Sequence, residues 1–238
     1  MVMPFPGATG ISGLRVYDWP TSDGVCGGSP HVHLTCSECY VVINGSGRVQ
    51  TLTRRGFAEV PLRPATVAWF TPGTIHRLVN DADLQIVVIM QNSGLPEAGD
   101  AVFTFPSTTL ADPDEYTKAA SLPRDEAAAQ QRRDLAIEGF LELRRHIESG
   151  DYAPLDEFYQ AAVRLKRDRL ADWEQRWRSG ALAAAQRTGE QLDRLRANDI
   201  SHLLEADIRV LPPQDTQKFG MCGRLDTHDP DSGVSPHD

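Results

Sequence analysis

Four short runs rich in strand formers crowd the stretch from residue 40 to residue 90: YVVIN (40–44), RVQTL (48–52), TVAWF (66–70) and LQIVVIM (84–90). Turn residues separate them at Asn44-Gly45, Arg55-Gly56, Pro72-Gly73 and Asn80-Asp81. β-branched runs bounded by such pairs read as strands. A strand buries one face of alternating side chains, so many short strands in close succession must pack sheet against sheet. The first half of the chain is therefore expected to be an all-β sandwich or barrel.

After about residue 124 the apolar period changes. Leu155, Phe158, Tyr159, Ala162 and Val163 fall at helical spacing, and Leu170, Trp173 and Trp177 continue the stripe. Ile137, Phe140, Leu141 and Ile147 predict an earlier helix ending at Ser149-Gly150. Leu192, Leu195 and Leu203-Leu204 predict a third after Ser179-Gly180. The helices are expected to pack on the β half or on a second subunit, with the tryptophans in a core or an interface. The domain expectation is a β barrel over 1–115, a helical extension over 116–210, and a return segment with a disordered tail over 211–238.

With 33 acidic against 24 basic side chains the formal charge is −9, which argues against nucleic acid or an anionic membrane as partner. The opening MVMPFPGATG has no basic region followed by an apolar run, and the longest apolar stretch, Ile86 to Met90, is far too short to span a bilayer. A cytoplasmic protein is expected, with thiols reduced.

The segment PHVHLTCSECYVVINGSG (30–47) carries two of the seven histidines. On a strand His31 and His33 point the same way. If a turn follows, Glu38 and Tyr40 open the next strand facing the same interior, so two imidazoles and a carboxylate converge. Such a set suits a divalent metal with open positions. A second signal, PGTIHRLVN (72–80), places His76 just after a turn. The alternative is a set of buried, satisfied core histidines.

His31-x-His33-x4-Glu38-x6-Gly45 resembles the first motif of the cupin superfamily, and Gly73-x2-His76-x3-Asn80 resembles its second. The glycine usual early in the second motif is replaced by Ala65. The resemblance covers roughly residues 20 to 95. It implies a mainly β fold, a cupin-type double-stranded β-helix (jelly-roll) barrel, with the α-helical part as a C-terminal extension. It further implies His31, His33, Glu38 and His76 as ligands of one divalent ion per chain (manganese, iron, nickel, zinc or copper). Gly45 and Gly73 would be turn glycines with positive φ. Dimers are common in the superfamily, so a homodimer is expected.

Cys36-Ser-Glu-Cys39 offers a rival reading as half a zinc site or a redox pair. A zinc site needs a second pair, and Cys26 and Cys222 stand apart in sequence. Two packed or part-exposed thiols are the plainer expectation.

For function, Glu38 and Tyr40 are the candidate catalytic residues and Gln91, at a strand end, a candidate substrate-binding one. The resemblance extends to cupin-type sugar-phosphate isomerases. No lysine precedes Lys118, however, which favours an unphosphorylated sugar-like hydroxycarbonyl substrate. The first expectation is thus a metal-dependent isomerase or epimerase on a small molecule. An iron-dependent dioxygenase is the second, and a non-enzymatic sensor or ligand-binding module the third. FGMCGRL (219–225) lies outside both motifs, and is expected to add an edge strand, close the pocket mouth, or lie on the surface.

Overall fold

The computed structural model describes residues 5–211, 217–229 and 232–233. Among them the strands are β1 (Gly10–Val16), β2 (His31–His33), β3 (Glu38–Thr53), β4 (Gly56–Leu62), β5 (Val67–Phe70), β6 (Ile75–Met90), β7 (Ala101–Phe103), β8 (Lys218–Phe219) and β9 (Gly223–Thr227).

Two of the expected turns are bends instead. Asn44-Gly45 and Asn80-Asp81 lie inside β3 and β6, each 16 residues long. The cause is that the two strands stay paired on both sides of the bend, from Glu38↔Met90 to Leu52↔Ile75, with register shifts confined to Val42–Gly47. Gly45 has φ 74°, and a Cβ there would come within 2.1 Å of the Asp83 carbonyl oxygen. Asn80 fixes the opposite strand: its amide donates to the Val16 carbonyl (2.9 Å) and accepts from the Leu84 N–H (3.0 Å).

The bend divides the network into two antiparallel sheets. The first contains β5, the leading half of β3, the trailing half of β6, β1, β9 and β8. The second contains β4, the trailing half of β3, the leading half of β6, β2 and β7. Leu14, Tyr40, Ile86 and Val88 of the first share one apolar core with Val49, Leu62 and Leu78 of the second. The outer face of the second sheet is apolar too, with Val32, Leu52, Ile75 and Val102 fully buried.

Helices cover that outer face. The described helices are α1 (Ser107–Ala111), α2 (Pro113–Ala120), α3 (Glu126–Glu148), α4 (Ala153–Lys166), α5 (Leu170–Trp177), α6 (Ala183–Arg196) and α7 (Ser201–Leu204). Ala136, Phe140, Leu143, Leu155 and Phe158 of α3 and α4 supply the apolar stripe that meets it. The helices start at Ser107, ahead of the expected boundary. Ser179-Gly180 does not break them, because a π-helical turn over Arg178–Leu182 carries α5 directly into α6. Trp173 is buried, its indole N–H donating to the Ala98 carbonyl (3.2 Å), whereas Trp177 is 39% exposed.

FGMCGRL returns to the first sheet. β9 pairs with β1 from Ser12↔Thr227 to Val16↔Gly223, and Cys222 enters the core. Of its three expected fates, the added strand is the one observed. The polar run 227–238, expected to be disordered, lies mostly outside the described residues. No described helix is long and apolar enough to cross a membrane.

Candidate metal centre

His31 pairs directly with His76 across β2 and β6, so the two imidazoles leave neighbouring strands on the same face. His33 follows two residues on, and Glu38 enters from the opposite sheet as the first residue of β3. One ligand atom from each of the four lies within 4.8 Å of all the others. All four residues are buried.

The hydrogen bonds around the rings fix their tautomers. His31 Nδ1 is 2.9 Å from the Ser29 carbonyl oxygen and His76 Nδ1 is 3.0 Å from that of Thr74. A carbonyl only accepts, so both Nδ1 atoms carry the proton. His33 Nδ1 is 2.6 Å from the Asp100 carboxylate, which accepts in the same sense. Each Nε2 is then left as a lone pair aimed inward, and His31 Nε2 and His76 Nε2 stand 3.1 Å apart. Two lone pairs at that distance repel unless a positive charge lies between them. Glu38 Oε2, 3.1 Å from His76 Nε2 and 3.5 Å from His33 Nε2, has no well-formed hydrogen bond of its own. Three nitrogen lone pairs and an orphaned carboxylate oxygen fit a divalent cation.

Burial and the neighbouring groups shift three of the four residues. Burial, with His76 and His33 nearby, holds His31 well below the ordinary histidine range, so it stays neutral. Burial also opposes charge on His33, but the Asp100 hydrogen bond and the charge of Glu38 outweigh it and raise its pKa. Burial disfavours ionised Glu38, yet His76, His33 and Tyr40 together hold its carboxyl below the usual range.

Tyr40 lies on the interior face with Glu38, as strand alternation predicts. Its ring is 6.3 Å from that of His76, and burial with the Glu38 charge pushes its phenol well above its ordinary pKa. Gln91 is placed elsewhere. It is exposed, and its side-chain oxygen accepts from the Ser37 N–H (3.2 Å), so it braces the β2–β3 loop and does not join the cluster. The cause is strand alternation: Leu84, Ile86, Val88 and Met90 of β6 face the interior, so Gln91 falls on the outward set with Val87 and Ile89.

Three neighbours of the site have no motif signal. Asp100, fully buried, holds His33 from a loop before β7 and also accepts from the Thr35 hydroxyl (3.1 Å); 67 residues separate it from His33. Cys222 arrives with the returning strand and lies 4.0 Å from His31 Nδ1. The Phe70 ring stands 4.2 Å from that of His76. The Cys36/Cys39 pair is not a reactive motif: both thiols are free and both pKa values are raised, with burial the first cause in each.

No protein-family model matches the chain, and neither does any curated protein sequence. Solved structures similar to it include a conserved protein with a double-stranded β-helix domain from Klebsiella pneumoniae, at 16% identity over 36% of this chain and 69% of that one, TM-score 0.30. Another is Pac13 of Streptomyces, a nucleoside dehydratase, at 14% identity over 40% of this chain and 66% of that one, TM-score 0.31. A third is WlaRA, a TDP-fucose-3,4-ketoisomerase from Campylobacter jejuni, at 12% identity over 38% and 64%, TM-score 0.31. The chain thus spans about two thirds of the length of each.

Proposed function

We propose that the two facing sheets are those of a cupin-type barrel, and that the chain is a metal-dependent enzyme acting on a small, sugar-like hydroxycarbonyl compound as an isomerase or epimerase. The observation that carries this is the convergence of three inward Nε2 lone pairs and an unpartnered Glu38 oxygen at one buried point. His31, His33, Glu38 and His76 would hold the ion. A divalent ion there supplies Lewis-acid polarisation of a carbonyl or hydroxyl oxygen without redox change.

The chain's own groups divide the remaining work. Tyr40 stays a phenol at neutral pH and can donate a hydrogen bond to a substrate oxygen. Glu38 stays ionised and can accept a proton from the hydroxyl-bearing carbon next to a carbonyl and return it to the carbonyl carbon, while the hydroxyl proton passes to the former carbonyl oxygen, so that no atom is gained or lost. The Phe70 ring, 4.2 Å from that of His76, gives the centre an apolar neighbour. Tyr40→Phe is expected to keep the metal and lower the rate of solvent-deuterium incorporation into a ketose or aldose substrate by about 100-fold or more. Unchanged exchange in that variant would remove Tyr40 from the mechanism.

One observation favours a second reading, an iron-dependent dioxygenase. The aromatic wall of Tyr40 and Phe70 (ring centroids 5.3 Å apart) suits a flat, weakly polar chelating substrate better than a sugar. Oxygen uptake by the iron-loaded protein, with no deuterium exchange on any sugar, would decide for it.

A further inference from the structure

Two of the three imidazoles are fixed by backbone carbonyls that are themselves tied to the helical layer. Tyr159 of α4 donates its hydroxyl proton to the Gly73 carbonyl (2.6 Å). Gly73 in turn donates its N–H to the His33 carbonyl (2.9 Å), and the next residue, Thr74, supplies the carbonyl that fixes His76 Nδ1. Burial, with the Asp156 charge beside it, pushes the Tyr159 phenol up to about 12, so it remains a donor.

Arg132 of α3 reaches His31 by a second path. It is buried, and no carboxylate among the described residues pairs with it. Its guanidinium donates instead to the carbonyls of Gly220 (2.9 Å) and Ser121 (3.2 Å). The Tyr17 hydroxyl donates to the same Gly220 carbonyl (3.1 Å). One residue on, the Met221 carbonyl accepts from the Ser29 N–H (2.9 Å), and the Ser29 carbonyl is the one that fixes His31 Nδ1. Arg132 also lies over the Phe103 ring at 5.0 Å, and Phe103 is the register partner of His31 across β2 and β7. A buried guanidinium without a carboxylate is costly for a fold. What it supplies here is two anchored carbonyls and a ring contact, with Gly220 and Phe103 both leading to His31.

We propose that the helical layer sets the geometry of the metal centre, with Tyr159 as the positioning residue for His76 and Arg132 as that for His31. This rests on the reading that the four residues hold an ion. Tyr159 acts through the Gly73–Thr74 turn, and Arg132 through Gly220, Met221 and Ser29. An imidazole whose Nδ1 acceptor is free to move spends less time with Nε2 aimed inward, so the centre binds its ion more weakly.

Competition between the full chain and a chelator for zinc, used as the probe ion, tests this. Tyr159→Phe and Arg132→Met, made separately, are expected to weaken zinc binding about 10-fold each. Leu110→Ala removes buried packing from the same layer and breaks neither path, so it should lower stability and leave zinc affinity at the wild-type value. In the zinc-free protein, nitrogen-15 spectra of the imidazoles read the same bonds without an ion. Tyr159→Phe is expected to shift the His76 Nδ1–H signal and spare that of His31, and Arg132→Met the reverse. Tyr17→Phe, which removes the other donor to Gly220, replaces Arg132→Met if that one does not fold. A wild type that binds no zinc counts against the metal reading alone, and the spectra then decide the positioning. A folded variant whose spectrum matches the wild type overturns the proposal. So does one that keeps the wild-type affinity for zinc, or a Leu110→Ala that loses as much.

Discussion

Asp100 holds His33 by one short hydrogen bond and has no other route to the centre, so its contribution is orientation. Asp100→Ala frees the ring and leaves the Thr35 hydroxyl without its acceptor. Such outer partners set metal affinity by about 10- to 100-fold, and chelator competition should show a loss in that range with the fold intact. Arg77 is the residue beside His76 that strand alternation turns away from the site. It is fully buried beneath Phe140 and meets Asp23 at 2.8 Å. Burial opposes the Asp23 charge, but the Arg77 and Thr21 hydrogen bonds prevail and depress its pKa. A depressed carboxyl stabilises the fold above its unfolded pKa, and that stabilisation is lost as pH falls through the folded one, here below about pH 4. Asp23→Asn should cost about 2–4 kcal/mol at pH 7, because it strands a buried guanidinium, and should flatten stability against pH in the acid range. Denaturant unfolding at pH 7 and pH 3 measures both. Ala65 adopts φ 69°, a left-handed backbone that favours glycine. Ala65→Gly is expected to raise stability by up to about 1 kcal/mol, and a clear loss would mean that the left-handed geometry carries no strain there.

At the scale of elements, the strand alternation of HVH and ECY was legible, and it alone brings His31, His33, Glu38 and Tyr40 to one interior. The bends in β3 and β6 were not, since a glycine with positive φ serves a hairpin turn and a bend equally well; only the pairing of both strands across Gly45 tells them apart. The returning strand β9 carries no local signal either, for its place is set by contacts far away in sequence. Gly28 is one of these: a Cβ there would lie 2.3 Å from Cys222 Cα. Gly28→Ala must push the returning segment off the core, at an expected cost of about 2–4 kcal/mol. It should turn Cys222, buried in the wild type, into a thiol that reacts rapidly with an aromatic disulfide reagent. A Cys222 that stays protected would show that the segment can shift without leaving.

Across the whole molecule, the layers run from helices through two sheets, with the histidine cluster between the sheets. The change of period near residue 124 announced the helices, but not which sheet they cover. The four candidate ligands were legible because their spacing repeats two motifs, whereas Asp100 was not, because a loop position has no period to betray it. Everything proposed for the chemistry rests on a cation at one point. The most direct measurement is the metal content of the purified protein by elemental analysis, beside His33→Ala and His76→Ala. About one divalent ion per chain in the wild type, lost in both variants, is the predicted result. A wild type that holds no metal after reconstitution, or variants that keep it, would contradict the assignment and leave four buried groups sharing protons.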